Sequence, residues 1–141
     1  MAGAKLHPTA AIHHSCWLDS ADIVMGSGAV LGSFARYDGA ARLTIEDGAQ
    51  VSSGVTFTTG THHRTGDPAR RSSPETVNSP ITIKSGCRVW QDVSINPGVT
   101  IAEGCEIGPD ALVVEDTQPD GLYVNMAGRS GAVRARRIKD I

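Results

Sequence analysis

The sequence has few aromatic side chains. Two Trp, two Tyr and two Phe make up 4% of 141 residues, too few for a large globular core, where aromatic rings supply much of the buried area. It also lacks a charge excess. Thirteen Lys and Arg stand against fifteen Asp and Glu, a net −2 with His neutral. That balance gives no reason to expect nucleic acid or an anionic membrane surface as partner. No apolar run approaches the ~20 residues of a membrane-spanning helix. Residues 1–9 lack the apolar centre of a secretion signal, so a cytoplasmic address is the default expectation. Only Cys16, Cys87 and Cys105 carry thiols. In a reducing compartment they are expected as small, inert core residues, free rather than bridged. The length suggests one domain over residues 1–141.

What the sequence does have is glycine, 16 residues of it, and a period of six. Ile83, Val89, Ile95, Ile101, Ile107 and Val113 recur at every sixth position. The fifth residue of each six is small or modestly apolar: Cys87, Val93, Val99, Cys105 and Ala111. Gly or Asp precedes it, at Gly86, Asp92, Gly98, Gly104 and Asp110. Alternate residues of a strand share a face, so the fifth residue of one six and the first of the next both point inward. Three short strands with a turn after each make one coil, and coils stack at ~4.8 Å. Such hexapeptide periods are the signature of a parallel β-helix.

The period begins early. Leu6, Ile12, Leu18, Val24 and Val30 keep the step, with Ala10, Cys16 and Gly28 at fifth positions. Asp22 and Phe34 break the preference there. An Asp inside a narrow prism needs a partner, so the frame is expected to distort near Asp22. The run Arg36-Tyr37-Asp38-Gly39 reads as a turn or small excursion. The phase resumes three residues late at Ile45, Val51 and Phe57, with Ala49 and Val55 inward. From Thr61 to Ser79 the period vanishes in a polar, basic stretch rich in breakers. A long loop leaving the prism is expected over about 60–80, and loops of that length are commonly functional. After Val113 comes a turn-rich exit. Leu122-Tyr123-Val124 suggests one more strand, and residues 128–141 a tail, with a short helix over Ala132–Ile141 capping the open end.

On these motifs the chain resembles the hexapeptide-repeat acyltransferases, whose fold is a left-handed parallel β-helix. It is most similar to the galactoside, maltose and exopolysaccharide O-acetyltransferases. Thr44-Ile45-Glu46-Asp47, Val51, Val55-Thr56 and the loop opening at His62 carry the likeness. So do Pro80-Ile81-Thr82-Ile83 and Ile95-Asn96-Pro97-Gly98-Val99-Thr100-Ile101. The resemblance implies an all-β prism of about five coils, a homotrimer with its site between prisms, acetyl-CoA as co-substrate, no metal, and a sugar-like or glycan acceptor. It implies His62 as general base, with His63 as the alternative one position on. Acetyl-CoA would lie along the Ile83–Val113 coils near Trp90, Gln91, Pro109 and Arg129, the Gln91 region supplying a backbone N–H to the thioester carbonyl. Arg36, Asp38, Arg64 and Asp67 would face the acceptor, with Arg70 beside them, and the basic members suit an acidic or phosphorylated one. The chain departs from the family pattern on the cofactor side. Trp90 stands where a small Gly is usual, Glu115 where a Lys is usual, and Gly128-Arg129-Ser130-Gly131-Ala132 lacks the usual Asn and Pro.

Two rivals remain open on the sequence. The same fold hosts γ-class carbonic anhydrases, but zinc needs three ligands, and no His follows the pair His62-His63. A non-catalytic solenoid scaffold is the other; the polar His62 loop speaks against it.

Overall fold

The structure is a computed structural model and describes residues 3–141. Met1 and Ala2, with which the expected single domain begins, lie outside the described residues. Among the described residues every regular element is a β-strand, and no helix is long and apolar enough to cross a membrane. Three parallel sheets form the faces of a prism. The first face stacks Lys5–Leu6, Ile23–Met25, Leu43–Ile45, Ile81–Ile83 and Thr100–Ile101. The second stacks Ala11–Ile12, Val30–Leu31, Gln50–Val51, Arg88–Val89, Glu106–Ile107 and Gly121–Ala127, with Val133–Asp140 added antiparallel at its edge. The third stacks Trp17–Leu18, Arg36–Tyr37, Thr56–Phe57, Ser94–Ile95 and Leu112–Val113. Five coils are complete and Gly121–Ala127 begins a sixth. The architecture is that of a left-handed parallel β-helix.

The hexapeptide logic holds over Ile83–Val113. Every first and fifth position of these sixes is buried. The residues before the fifth positions, Gly86, Asp92, Gly98, Gly104 and Asp110, all have φ between 58° and 78°. Each corner needs one left-handed residue, which Gly adopts freely and Asp tolerates. Inward ladders run up the prism: Ile45, Ile83 and Ile101 along the first face, Phe57, Ile95 and Val113 along the third. Each such buried side chain contributes about 1.5–3 kcal/mol.

The lower coils differ from the expected frame. Leu6 pairs with Met25 and Ile12 with Leu31, so Met25 and Leu31 point inward while Val24 and Val30 face out. Ala29 and Ala35, rather than Gly28 and Phe34, fill the fifth positions. One extra residue enters at the Asp19–Asp22 corner and two more at the Asp38–Arg42 corner. The slip of three is real but divided, and it leaves Asp22 outside, paired with Arg42 at 2.9 Å. Arg36–Tyr37 is a strand and not a turn, and the Tyr37 ring is in the core at 1% exposure.

Two further elements differ. The expected excursion over 60–80 leaves the prism, but it is paired and not open. It is an antiparallel hairpin of Gly60–Arg64 with Ser72–Asn78. The expected C-terminal helix is absent: Val133–Asp140 is a strand paired with Gly121–Ala127. Helix propensity of its Ala, Arg and Lys is a weak prior, and the free edge of the preceding strand takes up the segment. This second hairpin serves as the cap. Ala135 and Tyr123 are buried, and the Arg137 guanidinium donates to the carbonyls of Gln118 and Pro119, both at 3.1 Å.

All three cysteines are free. Cys87 Sγ sits 2.9 Å from the Ala102 carbonyl oxygen, and burial pushes its thiol up to about 11. It is a packing residue. The first coil is the least covered, with Leu6 44% exposed and Ile12 and Leu18 half-buried.

Candidate active site

Three insertions fall at one corner, where the third face hands over to the first. They are Asp19–Asp22, Asp38–Arg42 and the hairpin, stacked on successive coils. This stacking gives the hairpin a built foundation. Asp38 Oδ2 accepts the backbone N–H groups of Thr59 at 2.9 Å and Gly60 at 3.0 Å. Its Oδ1 accepts the Thr59 hydroxyl at 2.5 Å and the Ala40 N–H at 3.3 Å. Burial raises the Asp38 carboxyl, but these hydrogen bonds, that from the Thr59 hydroxyl first, outweigh it and hold the group below its ordinary value. Thr59 is fully buried, and its Oγ1 also accepts the Ala41 N–H at 2.9 Å. The Tyr37 hydroxyl donates to the Ala41 carbonyl at 2.6 Å and accepts from Ser20 at 3.3 Å. Burial pushes its phenol up.

Gly39 closes this corner at φ 71°. A Cβ there would lie 2.8 Å from the Ser20 amide nitrogen and 2.9 Å from the Asp19 carbonyl carbon. Backbone on the coil below cannot yield to it. Gly39→Ala is therefore expected to cost about 2 kcal/mol or more of stability through strain and clash together. Urea denaturation measures it, and an unshifted midpoint would refute the packing account.

From this foundation the hairpin projects outward. His62 lies in its first strand, in register with Thr76, and its side chain is exposed. The register shifts between His62 and Arg64, where the single residue His63 faces residues 73–75 of the returning strand, which carries the bulge. Bulges re-aim side chains and are frequent beside active sites. Arg64 is exposed. Asp67 turns the tip: its Oδ1 accepts the Ala69 N–H at 2.9 Å, and Thr65 Oγ1 bonds the Arg70 carbonyl. Arg36 is exposed on the third face, one rung above Trp17.

The cofactor-side candidates lie elsewhere. Trp90 and Gln91 occupy the corner between the second and third faces, and Pro109 occupies the same corner one coil up. Gln91 is exposed, and its carbonyl accepts the Asp110 N–H at 3.0 Å. Trp90 is half-buried. Its indole N–H donates to Glu106 Oε1 at 2.6 Å, and the Arg88 guanidinium lies 3.9 Å over its ring. Arg129 is exposed in the turn of the terminal hairpin. Glu115 faces Arg134 at 3.8 Å. His62 and Gln91 thus sit at opposite edges of the third face, and one chain does not bring them together. Among the described residues, no group of three or more His, Cys, Asp or Glu is placed to hold a metal ion.

The Asp38–Thr59–Tyr37 network went unread in the sequence as a foundation. Its only signal was that each frame slip precedes the same face. Fold and corner together define a hexapeptide-repeat parallel β-helix protein with an anchored, histidine-bearing hairpin. No family model and no curated protein sequence matches the chain. Solved structures do. A hexapeptide-repeat-containing acetyltransferase from Vibrio cholerae is 25% identical over 98% of this chain and 73% of its own, with a TM-score of 0.80. The acetyl-CoA complex of the same Vibrio cholerae enzyme has a TM-score of 0.71 at 26% identity, covering 99% of this chain and 69% of that one. A maltose O-acetyltransferase from Clostridium difficile is 25% identical over 99% of this chain and 70% of its own, with a TM-score of 0.75. The family that the sequence motifs resemble is the family of these structures, the hexapeptide-repeat acetyltransferases. An N-acyltransferase from Bacillus cereus shares the fold alone, at 16% identity and a TM-score of 0.63.

Proposed function

We propose that this protein is an acetyl-CoA-dependent acyltransferase that moves an acetyl group to a hydroxyl, or to an amine, of a sugar-like acceptor. The observation that carries the reading is the hairpin. An isolated two-stranded hairpin is marginal in water, yet this one is fastened at its base by Asp38 and Thr59 and holds an exposed imidazole. The acetyl-CoA complex of the structural neighbour supports the choice of co-substrate.

In this reading His62 takes the proton of the acceptor hydroxyl as its oxygen attacks the thioester carbonyl carbon. The tetrahedral intermediate then expels CoA thiolate as the C–S bond breaks, and the imidazolium returns the proton to sulfur. An imidazole suits both steps, because it is largely neutral near pH 7 and still able to hold a proton. No acyl-enzyme forms, and holding both substrates together supplies much of the rate. A backbone N–H near Gln91 polarises the carbonyl. Because His62 and Gln91 lie at opposite edges of the third face, the site is completed between neighbouring prisms of a homotrimer, the ordinary closed symmetry for three flat-sided copies. Trp90, Pro109 and Arg129 border the cofactor path.

Calorimetric titration with acetyl-CoA and with free CoA tests the proposal. Saturable binding of both, with one site per chain, is the expected result. No heat with either ligand would turn the reading to a β-helix scaffold, with Trp90 and Glu115 as the reason that the cofactor side is closed.

A further inference from the structure

The lower half of the third face carries a feature that the acyl-transfer chemistry does not use. Trp17, Arg36 and Thr56 are successive outward rungs there. With Asp19, Asp38 and Thr58 they line a groove of about 340 Å³, room for a sugar ring with a substituent. Trp17 is 71% exposed, an unusual state for the largest apolar side chain in a sequence so poor in aromatics. Its indole N–H donates to Asp19 Oδ1 at 2.8 Å. The groove ends at Asp38, whose other neighbours are Thr59 and Gly60 at the root of the His62 strand.

The charges in this groove are unevenly committed. Asp19 is engaged by the indole, and Asp38 carries four hydrogen bonds from Thr59, Gly60 and Ala40. The Arg36 guanidinium has neither an ion pair nor a side-chain hydrogen bond among the described residues. What lines the groove is thus an aromatic plane, Thr56 and Thr58, the exposed carboxylates of Asp19 and Asp38, both engaged by donors of this chain, and one guanidinium without a partner among the described residues. An indole plane suits the apolar face of a pyranose, and a guanidinium forks onto a carboxylate or phosphate.

We infer that Trp17 and Arg36 form the acceptor shelf of the proposed transferase and select a sugar that bears an anionic group. This inference rests on the acyl-transfer reading for its place in a reaction, but its binding chemistry stands on the third face alone. The anionic group has two possible sources, a uronic-type carboxylate on the sugar ring or the diphosphate of a nucleotide-linked sugar.

The test is direct binding to the full chain, without acetyl-CoA, of tetragalacturonate, dTDP-glucose and neutral maltotetraose. Tryptophan fluorescence and calorimetry are the readouts, and sedimentation reports the assembly state. One anionic probe is expected to quench Trp fluorescence and to bind at least about tenfold more tightly than maltotetraose, as one charge-assisted pair allows. Which probe does so identifies the source. Trp17→Leu is expected to abolish the quenching and to weaken binding about tenfold. Arg36→Gln is expected to erase the preference for charge, with Arg36→Lys restoring part of it. Equal binding of charged and neutral probes, no binding of any, or an unchanged preference in Arg36→Gln would overturn the shelf. So would Trp17→Leu that alters the assembly state while leaving probe binding intact, since the indole is then a subunit contact. Acetyl-CoA binding with no probe binding would fail the shelf alone. Probe binding with no acetyl-CoA binding would fail the transferase reading and leave the shelf.

Discussion

Replacing His62 with alanine is expected to lower acetyl transfer by about 10²–10⁴-fold, the usual contribution of a positioned general base. Stability should be almost unchanged. His62 is exposed, and its place in the hairpin rests on backbone pairing with Thr76, which alanine keeps. The affinity for acetyl-CoA should stay within about twofold, because in the proposed mechanism the imidazole moves protons only once transfer begins and does not bind the resting cofactor. His62→Gln should be as slow as alanine, since an amide cannot take the proton. The parallel variant is His63→Ala. His63 is the next residue of the same strand, opposite the bulged residues 73–75, and points away from the His62 side, so its loss should cost little. Steady-state rates of CoA release, with melting temperatures alongside, decide the matter. Wild-type turnover in His62→Ala would remove the base assignment. Loss confined to His63→Ala would move it one residue along.

The second large effect concerns Asp38, through its hold on the hairpin. Asp38→Ala strips the acceptors from the N–H groups of Thr59 and Gly60 and from the Thr59 hydroxyl. Thr59 is fully buried, so no water readily replaces the carboxylate there. Leaving such donors unpaired costs about 1–3 kcal/mol each when buried. Because Asp38 is itself exposed and water can reach some of these donors, the total should fall below that sum, roughly 2 kcal/mol, and it should fall on the hairpin. Amide exchange over residues 60–79 is expected to quicken at least tenfold. Trypsin should cut sooner at Arg64, Arg70 and Arg71, while the prism above Ile81 stays protected. Transfer activity should fall with it, because His62 is no longer held. The pH dependence follows from the lowered Asp38 carboxyl. A depressed carboxyl stabilises fully above its unfolded value, and that stabilisation is lost as pH falls through the folded value. Wild-type hairpin protection should therefore decline in acid below the ordinary carboxylate range, and Asp38→Ala should lack that step. Identical exchange in wild type and variant at neutral pH would show that the hairpin is held by something else.

Much of the fold is legible in the sequence, for a local reason. Ile83 through Val113 repeat the same choice six residues apart, and each corner carries its Gly or Asp where a left-handed φ is needed. The lower coils are harder to read because their slips are small. Val24 and Met25 are both apolar neighbours, so a shift of one residue leaves the hydrophobic pattern almost intact while it exchanges inside for outside. Only the pairing of Leu6 with Met25 decides which of the two is buried. The terminal segment misleads for a related reason. Val133–Asp140 has residues that favour a helix by themselves, and a strand edge elsewhere in the chain overrules them.

The site divides along the same line. The sequence by itself determined the repeat, the class of prism, the departure of the chain after Phe57 and the presence of His62 in that departure. Each is a property of neighbouring residues, and local spacing is enough to express it. The tertiary structure alone decided that three insertions share one corner, that Asp38 reaches across a coil to Thr59, and that Trp17 lies one rung below Arg36. Those contacts join residues about twenty positions apart through coils whose lengths vary. No periodicity in the sequence marks them, because the register that brings them together is set by the stacking of whole coils.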